Sequence, residues 1–247
     1  MTISVVRPRK AAPDKLTMTR TLVAYPAVAE TMYENSSILY LKPDVVDHEQ
    51  VQQLEQKLKG MQKAGNKKIL LDLRDVAAGD MPDAMRLANF LLSSGTIASL
   101  EGQKVAKQTF AVDPSKTINS TAPVVVLVNR GTAGPAELVA AALLDNKRAE
   151  LVGERTFGEG AQQKTFELPD GGAVILTVAK YQSPSGKRLQ DDAVVPGVLV
   201  ASNIPDQDGA EDDEDETAPS KPAVQKPAVT VDEQLTKALD LLKNKSA

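Results

Sequence analysis

The sequence predicts an α/β fold, and three observations carry that prediction. Two short apolar runs, Lys68 to Arg74 and Val124 to Asn129, read as strands buried on both faces. Each is followed by a stretch whose apolar residues recur at helical spacing. Strand and helix patterns then alternate along most of the chain, which favours helices layered on a sheet. With 247 residues and 42% hydrophobic content there is enough apolar material for a substantial core.

In order along the chain, residues 2–6 and 15–24 alternate apolar and polar side chains around the breaker-rich 7–14, a strand, turn and strand. So small a pair cannot form its own core, so it docks on something else or is the remnant of a larger module, and an upstream portion is expected to be missing. Residues 25–35 read as a connector. Ser37 to Lys42 is a strand, and Asp47 to Ala64 a helix with Val51, Leu54, Leu58 and Met61 on one side, stopped by Gly65 and Asn66.

After the first buried strand comes a loop, Asp75 to Met81, and then a helix from Pro82 to Leu92 with Ala84, Leu87, Ala88 and Leu91 on one face. Residues 96–112 read as a hairpin. The second buried strand turns through Arg130 to Gly134 into a helix reaching Leu144, with Pro135 at its first position and Glu137 at its third. Residues 149–153, 163–168 and 173–180 are strands, the last two joined by the hairpin turn Asp170-Gly171-Gly172.

Residues 201–230 hold the acidic run Glu211 to Glu216, several Lys-Pro pieces and few large apolar side chains, the composition of a flexible linker. Order returns in 231–247, where Leu235, Ala238, Leu239 and Leu242 form a helical stripe. That stripe needs a partner surface, on this domain or on another chain, which leaves a homo-oligomer joined through this helix open.

Composition narrows the function. The net charge is −4 with no basic stretch, so nucleic acid is not an expected partner. Cysteine is absent, which removes disulfides, thiolate metal sites and a cysteine nucleophile. No apolar run reaches the roughly 18 residues that span a bilayer, and the first residues lack an apolar signal core. His48, the one histidine, sits in Asp-His-Glu-Gln at a helix start and reads as a solvated residue. No metal or cofactor is implied.

A buried strand that ends in small residues and opens a helix presents backbone N–H groups where an oxyanion can be held. Arg130 to Glu137 has that form, and Gly131, Ala133 and Gly134 let a substrate backbone approach closely. Spacing alone is also satisfied by a tight turn with no ligand. Asp75 to Gly79, after the other buried strand, could face the same cleft.

Val124 to Glu137, together with Val152-Gly-Glu-Arg-Thr-Phe-Gly-Glu-Gly-Ala-Gln-Gln163, resembles the tail-specific (C-terminal processing) serine protease family. Leu70-Leu-Asp-Leu-Arg74, Glu137 to Asp145, Thr156-Phe-Gly158, Tyr181, Pro184-Ser-Gly186 and the closing Asp232, Leu235, Ala238 and Leu239 fit as well. The resemblance covers residues 36–200 and implies a crotonase-like (Clp/crotonase) α/β protease core. It implies also that residues 1–24 are the last strands of a PDZ domain, that the ligands are unstructured polypeptides or protein C-termini, and that the protein is exported or periplasmic.

In that family the nucleophilic serine falls on Gly134 and the lysine base on Glu159. Gln163 matches the glutamine that orients the lysine. The oxyanion-side loop falls on Val76-Ala77-Ala78-Gly79, keeping only the last glycine. Without a hydroxyl at 134 no acyl-enzyme forms, and a carboxylate does not replace a neutral amine. The resemblance therefore implies an inactive homologue with a peptide cleft at Gly79, Gly131, Thr132, Ala133 and Gly134. Thr132 is the fallback nucleophile of an active alternative, and Ser183, Ser185 and Lys187 make a nominal serine and lysine set in what reads as a turn. A crotonase-like acyl-thioester enzyme is a third reading, which no nucleotide or pantetheine signature favours.

Overall fold

A computed structural model describes residues 1–7, 12–21, 24–61, 63–202 and 231–245. Its strands and helices run β1 (Thr2–Val5), β2 (Asp14–Thr17), β3 (Ala29–Tyr33), β4 (Ile38–Lys42), α1 (His48–Gly60), β5 (Lys68–Asp72), α2 (Met81–Leu91), β6 (Thr96–Glu101) and β7 (Gln108–Ala111). They continue with β8 (Val124–Val128), α3 (Pro135–Asp145), β9 (Ala149–Gly153), β10 (Ala161–Glu167), β11 (Ala173–Gln182), α4 (Leu189–Asp192), β12 (Val198–Leu199) and α5 (Glu233–Lys243).

A six-stranded sheet in the order β12-β9-β8-β5-β4-β3 organises the core, parallel except for β3. Its central strands alternate their side chains between two apolar layers, as the period of two requires. Leu39, Leu41, Ile69, Leu71, Val124, Val126 and Val128 face one layer, shared with α1, α2 and α3. Ile38, Leu70, Val125 and Leu127 face the other, where Ala238 and Leu242 of α5 cover them. This double burial is why both strands carry unbroken apolar runs.

The second sheet, β10-β11-β6-β7, is antiparallel, and among the described residues β1 pairs only with β2. Beyond their junction with β6, the strands β10 and β11 form a ribbon whose residues 162–177 are all exposed.

Several elements differ from the sequence reading. The connector 25–35 contains β3, an edge strand made by antiparallel pairing with β4. The second N-terminal strand ends at Thr17, short of residue 24, whose two predecessors lie outside the described residues. Residues 189–199 form α4 and β12, neither visible as a pattern. The expected linker lies almost wholly outside the described residues, at 203–230. The stripe on α5 finds its partner within the chain: Ala238 and Leu242 are fully buried on the main sheet, so that face is not free to join a second chain.

Candidate functional site

The candidate site lies where β5 and β8 end side by side. Parallel pairing puts both carboxyl ends on one edge of the sheet, the edge where open α/β sheets place their ligands. The chain must leave each strand without orphaning buried backbone groups, and a few side chains accomplish this. Asn129 accepts from the N–H groups of Asp75 and Gly131, at 3.0 Å each, and donates through Nδ2 to Asp75 at 2.8 Å. Ala133 N–H donates to Val76 O at 3.0 Å. The loop 75–78 and the turn 130–134 are thus fastened to one another.

Gly134 ends that turn and caps α3 with φ 56° and ψ −115°. Such a backbone is costly for any residue with a side chain, and it is the strained strand-to-helix bend that exposes a nucleophile in hydrolases. Here nothing projects from it. A Cβ added at Gly134 would meet Ala77 O at 3.7 Å and Glu159 O at 3.9 Å, ordinary contact distances, so the turn has room for a side chain that the sequence does not supply.

The carboxylate of Glu137, fully buried, holds this hollow together. One oxygen accepts from Gly134 N–H at 3.0 Å and Glu159 N–H at 2.7 Å. The other accepts from Gly158 N–H at 2.8 Å and from the Thr156 hydroxyl. Burial raises the Glu137 pKa, while the Thr156 hydroxyl and the N–H groups of Glu159, Gly158 and Gly134 pull it back. Thr156 in turn accepts from Val194 N–H at 2.8 Å. One side chain therefore draws the start of α3 and the loop 156–159 to the same point.

Gly134 and Glu159 are accordingly neighbours, with the Glu159 side chain exposed. Gln163 is two positions into β10, also exposed, and its side chain makes no hydrogen bond among the described residues. Thr132 faces away from any cleft. It is fully buried, its hydroxyl donating to Leu73 O at 2.8 Å and accepting from Asn129 N–H at 3.0 Å. Gly131 packs on Asp75, and Ala133 is buried. Gly79 packs on the backbone of Val46, whose oxygen would lie 2.2 Å from an added Cβ.

The nominal serine and lysine set resolves as a turn. Ser183 N–H donates to Lys187 O at 2.8 Å, and the two serine hydroxyls bond one another at 3.0 Å. His48 begins α1 on the surface, 3.6 Å from Asp83. Two cavities, of about 780 and 320 Å³, are lined by neither Gly134 nor Glu159. Among the described residues no group of histidine, aspartate and glutamate side chains could hold a metal ion. Sequence reasoning placed Glu137 correctly at the third helical position but missed its four-donor role; a glutamate at that position, three residues after a capping glycine, was the available signal.

Comparison with known proteins gives consistent matches. Residues 37–200 match peptidase family S41. A carboxyl-terminal-processing protease of Synechocystis sp. is 31% identical over 191 residues, 76% of this chain and 44% of that protein. The chloroplastic carboxyl-terminal-processing peptidase 2 of Arabidopsis thaliana is 37% identical over 141 residues, 57% of this chain and 27% of that protein. The chain thus spans less than half the length of these relatives. Among solved structures, the photosystem II D1 C-terminal processing protease superposes with a TM-score of 0.67 at 28% identity, covering 81% of this chain and 56% of that one.

Proposed function

From the premise that the chain belongs to peptidase family S41, with its crotonase-like α/β core, we propose that it is an inactive homologue of the C-terminal processing peptidases. It keeps a cleft for unstructured polypeptides or protein C-termini and acts as a scaffold or a regulator. One observation carries this reading: the strained bend that would present a nucleophile ends in Gly134, beside Glu159, where hydroxyl and amine would be required. The Glu137 carboxylate still ties the bend to the loop 156–159, so the loss of chemistry has not cost the mould its shape.

Activity through Thr132 draws no support from its surroundings, since that hydroxyl is buried and already bonded on both sides. Association through α5 is no part of the proposal, because its apolar stripe lies on the chain's own sheet. The pair β1 and β2 fits the end of a PDZ module. An exported location is in keeping with the family and with the chloroplastic relative.

Incubation with unstructured polypeptides of varied C-termini, and with a serine-reactive fluorophosphonate, tests the reading. We expect saturable binding of some polypeptides without cleavage and without covalent labelling. Sequence-specific cleavage lost on Thr132→Ala would establish the active alternative instead.

A further inference from the structure

The residue after the bend is a proline, and at that position the missing N–H matters. An acyl-transfer site stabilises the negative oxygen of its intermediate with the N–H of the residue following the nucleophile, joined by a second donor from a facing loop. Pro135 offers no N–H. The fold loses nothing by this, because the first N–H groups of a helix have no partner within it and proline is welcome at that place.

No other donor of the bend takes over. Thr132 N–H donates to Asn129 O at 3.0 Å, Ala133 N–H to Val76 O at 3.0 Å and Ala136 N–H to Ala133 O at 3.2 Å. Gly134 N–H is held by Glu137. From Thr132 to Ala136 every backbone N–H is thus either committed or absent. The atoms nearest the open space at Gly134 are two carbonyl oxygens, of Ala77 and Glu159, which repel an oxyanion.

We propose that Pro135 is an independent block to catalysis, so that restoring hydroxyl and amine alone leaves the site without the oxyanion donor that follows the nucleophile. This rests on the assignment of Gly134 and Glu159 made above. In a restored site the hydroxyl oxygen introduced by Gly134→Ser bonds to the electrophile, its proton passes to the amine introduced by Glu159→Lys, and the charge develops on an oxygen to which position 135 donates no hydrogen bond.

The test compares the rate of fluorophosphonate labelling, where the introduced hydroxyl displaces fluoride from phosphorus, in Gly134→Ser/Glu159→Lys with the same pair carrying Pro135→Ala. A second variant, Pro135→Gly, restores the N–H with a different side chain and guards against a single misfolded protein; far-UV circular dichroism and a cooperative melt identify folded samples. Adding either N–H should raise the limiting labelling rate by about 10² to 10³ with the half-saturating reagent concentration unchanged. Pro135→Ala alone should remain unlabelled. Equal, measurable labelling with and without the proline overturns the role of Pro135 and leaves the assignment of Gly134 and Glu159 standing. No labelling in any folded variant overturns that assignment, and the Pro135 proposal with it.

Discussion

Two carboxylates, Asp72 and Glu137, have no exposed surface, yet the chain satisfies them in opposite ways. Asp72 has a cation. Arg74 reaches it through Nε and Nη2, the latter at 2.6 Å, and the Tyr40 hydroxyl adds a bond at 2.9 Å. Through Nη1 the same guanidinium holds both oxygens of Asp232, at 3.0 and 2.9 Å, and so anchors the start of α5. Burial alone would lower the Arg74 pKa, but Asp72 and then Asp232 hold it above its ordinary value. Glu137 has only neutral donors, three from the backbone. A charged partner thus pins a remote helix, whereas N–H groups gathered on a carboxylate fix the shape of a loop pair.

The sharpest way to break the first arrangement is Arg74→Met. It leaves Asp72 buried without its cation, which costs about 3–5 kcal/mol, and releases the Asp232 clamp. Urea denaturation should show that loss, and limited proteolysis should cut ahead of α5 sooner than in the parent protein. Asp232→Asn keeps the helix cap and removes only the outer ion pair, so a similar loss there would mean that docking, not the buried charge, dominates.

Glu137→Gln probes the second arrangement. An amide can turn only one oxygen toward the donors, so its NH₂ confronts N–H groups that have no other acceptor. Each orphaned buried donor costs about 1–3 kcal/mol, and we expect roughly 2–4 kcal/mol in total by denaturant titration. A loss well below that would mean that the loop 156–159 opens and lets water in. Gly134→Ala should cost less, about 1–3 kcal/mol, because the space is free and only the backbone conformation is strained. A cost near zero would mean that the bend relaxes when a side chain is present.

These sites also mark what the sequence could and could not tell. The strands β5 and β8 were legible because both faces are buried, and the bend at Gly134 because strand, small residues, proline and glutamate follow in fixed order. The strand β3 was hidden, since Ala-Glu-Thr-Met-Tyr is an exposed edge with no alternation. The partnership of Arg74 with Asp232 joins residues 158 positions apart, and no local pattern encodes it. The same holds on a smaller scale for Thr156 and Glu137, 19 positions apart. The inward turn of the Thr132 hydroxyl had a local cue only in Asn129, three residues earlier, whose N–H donates to it.

The smallest expected effect is a pH dependence that separates the two carboxylates. Burial raises the folded-state pKa of Glu137, the net result after its four donors pull the other way. A group whose folded pKa exceeds its unfolded one contributes fully below the unfolded value, and that contribution declines as pH rises through the folded value. The parent protein should therefore lose some stability relative to Glu137→Gln between mildly acidic and neutral pH, because glutamine does not titrate and every other group is shared. A difference that stays flat, or widens in favour of the parent protein as pH rises, would show that the N–H groups stabilise the ionised carboxylate more than burial penalises it. The hollow would then be a site already built to receive negative charge, with Glu137 as its permanent occupant.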